Sequence, residues 1–265
     1  MRLLLVILLS LALPLAAAER VVSLAPSMTE LMLELGAGDR LVGLLDAGER
    51  PSALAGLPSV GHYGRFEAET LLALDPDLIL LWPGGVSAAQ REQLVAFGIP
   101  LFEAEPHRLE DIADQAEALG ARVGRGERAR QLADGFRREL RELRQSYRRT
   151  TPLPVFYQVW DQPLYTIGGR QVISDALEVC GARNVFADLA LPAPQVSLEA
   201  VLARDPAVIL VDRPEQVAVW QAWPQLRAVR DGRVWMVPDR GLERPSLQML
   251  QATRQLCQLL ERAGP

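Results

Sequence analysis

Two twelve-residue stretches of this chain share one pattern, and that pattern restricts the fold more than any other feature. Glu69-Thr70-Leu71-Leu72-Ala73-Leu74-Asp75-Pro76-Asp77-Leu78-Ile79-Leu80 and Glu199-Ala200-Val201-Leu202-Ala203-Arg204-Asp205-Pro206-Ala207-Val208-Ile209-Leu210 each read as a helix stopped at Asp-Pro, then a buried strand. The offset is 199 − 69 = 130 residues. Such punctuation is common in α/β chains, so its placement carries the weight: the copies flank one long amphipathic run from Glu127 to Arg149. Ala129, Leu132, Ala133, Phe136, Leu140, Leu143 and Tyr147 recur there mostly at steps of three and four, which gives one apolar stripe. As a helix, the run is about 33 Å long, the height of a small domain. Thr150-Thr151-Pro152-Leu153-Pro154 then breaks the chain.

Strand and helix signals alternate on both sides of that run. Arg20–Leu24 is a short β run closed by Ala25-Pro26. Ser27 reads as an N-cap, and Glu30 completes an S-x-x-E capping box. Strands follow at 40–44, 78–82 and 100–103, with helices at 67–74, 88–97 and 109–123. The alternation implies parallel sheets with helical crossovers. The expected fold is α/β: two pseudo-symmetric lobes, 19–125 and 151–265, with parallel-sheet cores, joined by a single long rigid helix at 126–150. The cleft between such lobes is a favoured small-ligand site.

Leu3 to Leu15 is an apolar run behind Arg2, and Ala16-Ala17-Ala18 supplies small residues for cleavage, so 1–18 reads as a secretory signal cut after Ala18. The run is shorter than the ~18–20 residues of a membrane span. The formal charge of −5 argues against a general nucleic-acid binder. The 28 basic residues are all Arg, and those of the long helix read as a solvated face with i,i+4 partners. Cys180 and Cys257 both have apolar neighbours at helical spacing. In an exported chain they fit either one disulfide or two core thiols.

Chemistry-bearing motifs are sparse. His62 and His107 are the only histidines, too few with two cysteines for a usual zinc site; His62 could line the cleft, and His107 is expected on a surface loop. Gly168-Gly169 sits in a turn and is too weak a signal for phosphate binding. No nucleophile elbow, HExxH or P-loop occurs. The aromatics say more: Tyr63, Trp82, Trp160 and Tyr165 fall at strand ends of both halves, as a large flat ligand between two walls would need. Trp220, Trp223 and Trp235 follow core patterns. The stretch Arg240-Gly241-Leu242-Glu243-Arg244 fits either a polar rim or a solvated loop before an N-cap near Ser246.

Several stretches carry a family resemblance: Arg20 to Leu31, Leu74 to Ile79, Leu177 to Phe186, Pro194 to Glu199 and Leu256-Cys257. Through them the chain resembles the periplasmic cobalamin-binding proteins of ABC importers, a branch of the iron-siderophore and cobalamin binding-protein family, over nearly all of 20–261. The resemblance implies a non-catalytic receptor with a helical backbone between its lobes, monomeric when free, without a cofactor of its own. It implies cobalamin as the transported ligand and an inner-membrane ABC permease dimer as partner. Carried over residue by residue, it places ligand contacts on Tyr63, Trp82 and Tyr165, a corrin-rim loop on 240–244, and a disulfide on Cys180 and Cys257. It places permease docking on Glu69 and Glu199. Ala47 and Ala193 stand where close relatives carry aromatics. A siderophore or haem receptor is the alternative within the fold. A structural or sensory domain that uses this fold without transport is a further alternative, and an exported hydrolase using scattered carboxylates is the alternative of a different class.

Overall fold

The computed structural model describes residues 17–48, 50–62 and 64–264; Tyr63 and nearly all of the expected export signal lie outside the described residues. The first lobe contains β1 (Val21–Ser23), α1 (Pro26–Glu34), β2 (Leu41–Asp46), β3 (Ser59–His62), β4 (Arg65–Phe66), α2 (Ala68–Ala73), β5 (Leu78–Leu81), α3 (Ala88–Ala96) and β6 (Leu101–Glu103). Its sheet runs β4-β3-β2-β1-β5-β6, parallel except for β3 with β4. Two helices follow, α4 (Leu109–Arg122) and α5 (Gly126–Ser146). The second lobe contains β7 (Leu153–Asp161), β8 (Leu164–Thr166), α6 (Val172–Val179), β9 (Ala182–Asn184), α7 (Leu198–Arg204), β10 (Val208–Val211), α8 (Pro214–Trp220), α9 (Arg227–Arg230), β11 (Val234–Met236) and α10 (Met249–Glu261). Its sheet runs β11-β10-β7-β8, with β9 also on β7 and only β7–β8 antiparallel.

The two copies of the repeat become α2–β5 and α7–β10. Both strands are buried along their whole length, as continuous apolar runs in parallel sheets are. The aspartates before the two prolines share a left-handed backbone, φ 45° at Asp75 and 39° at Asp205. Proline disfavours a right-handed helical conformation in the residue before it, and Asp tolerates the left-handed one. The repeat therefore survives at the level of single dihedrals.

The long helix is α5, 21 residues and about 31 Å. It does not stand alone. α4 lies antiparallel beside it, with Arg144 paired to Glu110 near one end, Arg137 on Asp114 and Glu117 at 2.6 and 2.7 Å midway, and Gly120 against Ala129 near the other. A Cβ on Gly120 would sit 2.3 Å from that of Ala129. Leu109, Ile112, Phe136 and Leu140 pack into the second-lobe core, whereas Leu119, Val123 and Ala129 pack into the first. Both helices of this hairpin thus span both cores.

One local expectation fails. α1 begins at Pro26 with Ala25 as N-cap and no side-chain cap, so the Ser27–Glu30 capping box does not form. Proline is favoured in the first turn of a helix, where its missing N–H costs nothing, and that starts the helix before Ser27. Glu30 is left free to bond elsewhere. Cys180 and Cys257 form a disulfide with Cα atoms 4.6 Å apart, tying α10 to the end of α6.

Candidate functional site

A cavity of about 930 Å³ lies between the lobes, within the range of small-molecule sites. Its first-lobe wall is built where parallel strands end: Ala25 to Ser27 after β1, Asp46 to Gly48 closing β2, His62 closing β3, Trp82 after β5 and Ala104 to His107 after β6. Crevices outside the carboxyl ends of such strands are where open α/β sheets bind ligands. The second-lobe wall comes from β7, the segment before α6, Pro192-Ala193, Asp212 after β10, and the 240–245 turn.

Trp82 is the aromatic of the first wall. Its ring lies on Gly84-Gly85: a Cβ at Gly84 would be 2.6 Å from the indole. The glycine pair therefore keeps the ring flat against the turn. On the facing wall, Trp160 is 53% exposed, with its indole N–H donating to Gln162 O at 3.1 Å and the Arg213 guanidinium 5.6 Å from its ring centroid. Tyr165 is not among the cavity-lining residues; it is the cross-strand partner of Trp160 and bridges to Gln195. Ala47 and Ala193 both line the cavity, one on each side.

The 240–244 stretch is a 3-10 turn rather than an open loop. Asp239 caps it by accepting the Gly241 N–H at 2.8 Å. Arg240, Leu242, Glu243 and Arg244 line the cavity, while Gly241 is buried behind them. Tyr157, fully buried at the base of this wall, donates to Glu243 at 3.5 Å. Desolvation in the cleft, then the charge of Asp212, pushes the Glu243 carboxyl up; burial, then Glu243, pushes the Tyr157 phenol well up. Asp212 Oδ1 is buried with no hydrogen-bond partner in the structure. This wall offers acceptors that a ligand N–H would satisfy.

His107 lines the cavity rather than a surface loop, because the β6–α4 connection passes under the second lobe. Its Nδ1 lies 2.9 Å from Arg170 O across the cleft. His62 also lines the cavity. Among the described residues no cluster of three potential metal ligands exists, and no helix is long and apolar enough to cross a membrane. Gly168 and Gly169 are required by packing: Cβ atoms there would be 2.0 Å from Leu191 O and Ala187 O.

Asp212 was legible but missed. Adding the 130-residue repeat offset to Trp82 gives 212, so both residues follow the same strand of the repeat, one in each wall. Asp46 and Tyr157 carried no sequence signal beyond their strands. Glu69 and Glu199 lie far from this chemistry, exposed, at the second positions of α2 and α7. Hydrogen bonds from its own N–H and from Ser197 hold the Glu199 carboxyl low.

Comparison with known proteins bears on the whole chain. The periplasmic binding protein family model matches residues 21–240. The vitamin B12-binding protein of Vibrio parahaemolyticus is 35% identical, covering 92% of this chain and 90% of that protein. Its counterpart in Yersinia pestis is 39% identical, covering 94% and 88%. The crystal structure of the periplasmic vitamin B12 binding protein BtuF of Vibrio cholerae superposes with a TM-score of 0.85 at 34% identity, covering 93% and 98%. The periplasmic heme-binding protein BhuT, at 22% identity and a TM-score of 0.80, shares the fold.

Proposed function

The chain belongs to the periplasmic binding protein family, and from that premise we propose that it captures cobalamin or a close corrinoid in the inter-lobe cleft and delivers it to an ABC permease. The carrying observation is end-to-end similarity, at 34–39% identity, to proteins that bind vitamin B12. The cleft chemistry supports the same reading. A corrin is broad and flat, with amides on its rim. Trp82 from one lobe and Trp160 from the other suit the faces of such a ring. Asp212, Glu243, Arg240 and Arg244 suit the amides, as acceptors and donors respectively. Haem and ferric siderophores usually bring carboxylates or other anionic groups, which the Asp212–Glu243 wall opposes.

Ligand contacts are assigned to Tyr63, Trp82 and Tyr165 and to the 240–244 turn. Tyr63 is assigned because it follows the cavity-lining His62 in the sequence, and Tyr165 because it pairs across the strands with Trp160. Ala47 and Ala193 line the cavity from opposite sides with small side chains, so ligand stacking there falls to Trp82 and Trp160. Docking to the permease dimer is assigned to Glu69 and Glu199. The repeat gives these exposed carboxylates equivalent positions in α2 and α7, which supports one contact per permease subunit.

Export with cleavage after Ala18 would begin the mature protein at Glu19. The Glu19 N–H already donates to Asp77 at 2.8 Å, so a new ammonium there has a carboxylate waiting. Calorimetric titration of residues 19–265 tests the ligand. Saturable one-to-one binding of cyanocobalamin, with haem and a ferric siderophore weaker, is expected; preference for either of the latter overturns the assignment.

A further inference from the structure

α1 carries two acids one turn apart, and both bond across the cleft. Glu34 accepts the backbone N–H groups of Leu247 at 2.9 Å and Gln248 at 2.7 Å. Glu30 accepts from Arg244 Nη1 at 2.5 Å and from the Gln248 side-chain amide. The Ser246 hydroxyl, fully buried, lies 3.3 Å from an oxygen of each acid. Leu247 packs against the cores of both lobes. One five-residue stretch of the second lobe supplies every one of these contacts.

The physics is that of a helix N-terminus. Backbone N–H groups just before α10 have no partner within the helix, and a carboxylate there is stabilised by them and by the helix dipole. Ordinarily the acid comes from the same segment. Here it comes from the facing lobe, so capping α10 also ties the lobes together. This clasp is separate from the α4–α5 hairpin.

The clasp reaches the ligand cleft. Pro26 and Ser27, in the first turn of α1, line the cavity, and Glu30 follows one turn on. Arg244 lines the cavity from the other side while bonded to Glu30. A guanidinium has five N–H donors, so one edge can hold Glu30 while another meets a ligand carbonyl. We propose that Glu30 is a positioning residue for ligand capture: from across the cleft it holds the Arg244 guanidinium where the ligand rim meets it, with Glu34 and Leu247 as the fixed end of the same clasp. The inference rests on the reading that the ligand occupies this cleft.

The test is a double-mutant cycle with cyanocobalamin as probe, after thermal melts establish that each variant folds. Glu30→Ala and Arg244→Ala are each expected to weaken binding about tenfold, as loss of a charge-assisted hydrogen bond does. The double variant is expected to bind like Arg244→Ala alone, because Glu30 acts through Arg244. Losses that multiply, or normal affinity of Glu30→Ala, overturn the proposal. A role in stability alone would lower the melting temperature without coupling the two sites. Hydrogen exchange of 244–248 in ligand-free protein gives a readout independent of the ligand. Faster exchange of the Leu247 and Gln248 amides in Glu34→Ala supports the clasp, and unchanged exchange rejects it. If the wild-type protein ignores cyanocobalamin, the assignment of ligand fails while this second measurement still decides the clasp.

Discussion

Trp82 shows how one side chain is prepared for binding by its neighbours. The indole is half-buried against the first-lobe core and supported by two glycines, so little freedom remains to be lost when a ligand stacks on it. Trp82→Ala is expected to weaken cyanocobalamin binding about tenfold or more, by loss of one aromatic surface. Gly84→Ala should weaken it too, by pushing the ring off its seat; titration of both variants checks this. Glu34 gives a pH effect whose sign is fixed. Burial raises its carboxyl, against the lowering by the Leu247 and Gln248 N–H groups, and the nearby Glu30 charge adds to the rise. A carboxyl raised in the folded state costs stability when charged. The cost is present above the folded pKa and relieved as pH falls through it toward the ordinary value of 4.5. Melting curves should therefore show wild-type protein gaining on Glu34→Gln as pH drops from 7 toward 5; a gap independent of pH contradicts this.

Among the elements, α10 is held from three directions. It is capped from the first lobe, buried along the face of Met249, Leu256 and Leu260, and bonded to α6 through Cys180–Cys257. The disulfide closes a 77-residue separation, so loop entropy gives it about 3–5 kcal/mol before any strain. Denaturant unfolding of the double serine variant should show a loss of that order with the fold retained, and mass spectrometry of native protein should find no free thiol. Element identity was readable because periodicity is local. The repeat, the punctuation at Asp75 and Asp205, and the apolar stripe of α5 all lie within short windows. What failed was the capping box at Ser27. Its letters fit, yet Pro26 opens the helix two residues earlier, with Ala25 rather than Ser27 as N-cap, and the acid serves a partner more than two hundred residues away.

For the molecule as a whole, two connections set how the lobes move. The α4–α5 hairpin buries side chains in both cores, and the Glu30–Glu34 clasp ties α1 to the start of α10. Neither is a flexible loop, so binding should bring a limited closure. Solution scattering is expected to show a small fall in radius of gyration with ligand, and a large compaction would contradict this stiffness. The proposed docking belongs to the same scale, since it would use both lobes at once. Glu69→Ala/Glu199→Ala should bind cyanocobalamin normally yet fail to stimulate transport by its permease. Weakened dependence on salt in the wild-type interaction would argue against charge-assisted contacts.

The sequence alone determined the two α/β halves, the long helix between them, the cysteine pair as a candidate bridge, and Trp82 as a strand-end aromatic suited to the cleft, while it left 240–244 between a polar rim and a solvated loop. These depend on local patterns or on a repeat that can be laid over itself. Only the tertiary structure decided that α4 shares the backbone role of α5, that His107 enters the cleft, that Trp160 rather than Tyr165 lines the cavity, and that Asp212 joins the cavity lining with a buried Oδ1 that makes no hydrogen bond and has Arg213 Nε 3.7 Å away. The same holds for Glu30 and Glu34, which bond residues more than two hundred positions away. Contacts between lobes join residues with no common period or motif. Their partners are selected by the angle at which two separately patterned cores meet, and that angle is written in no single stretch of the chain.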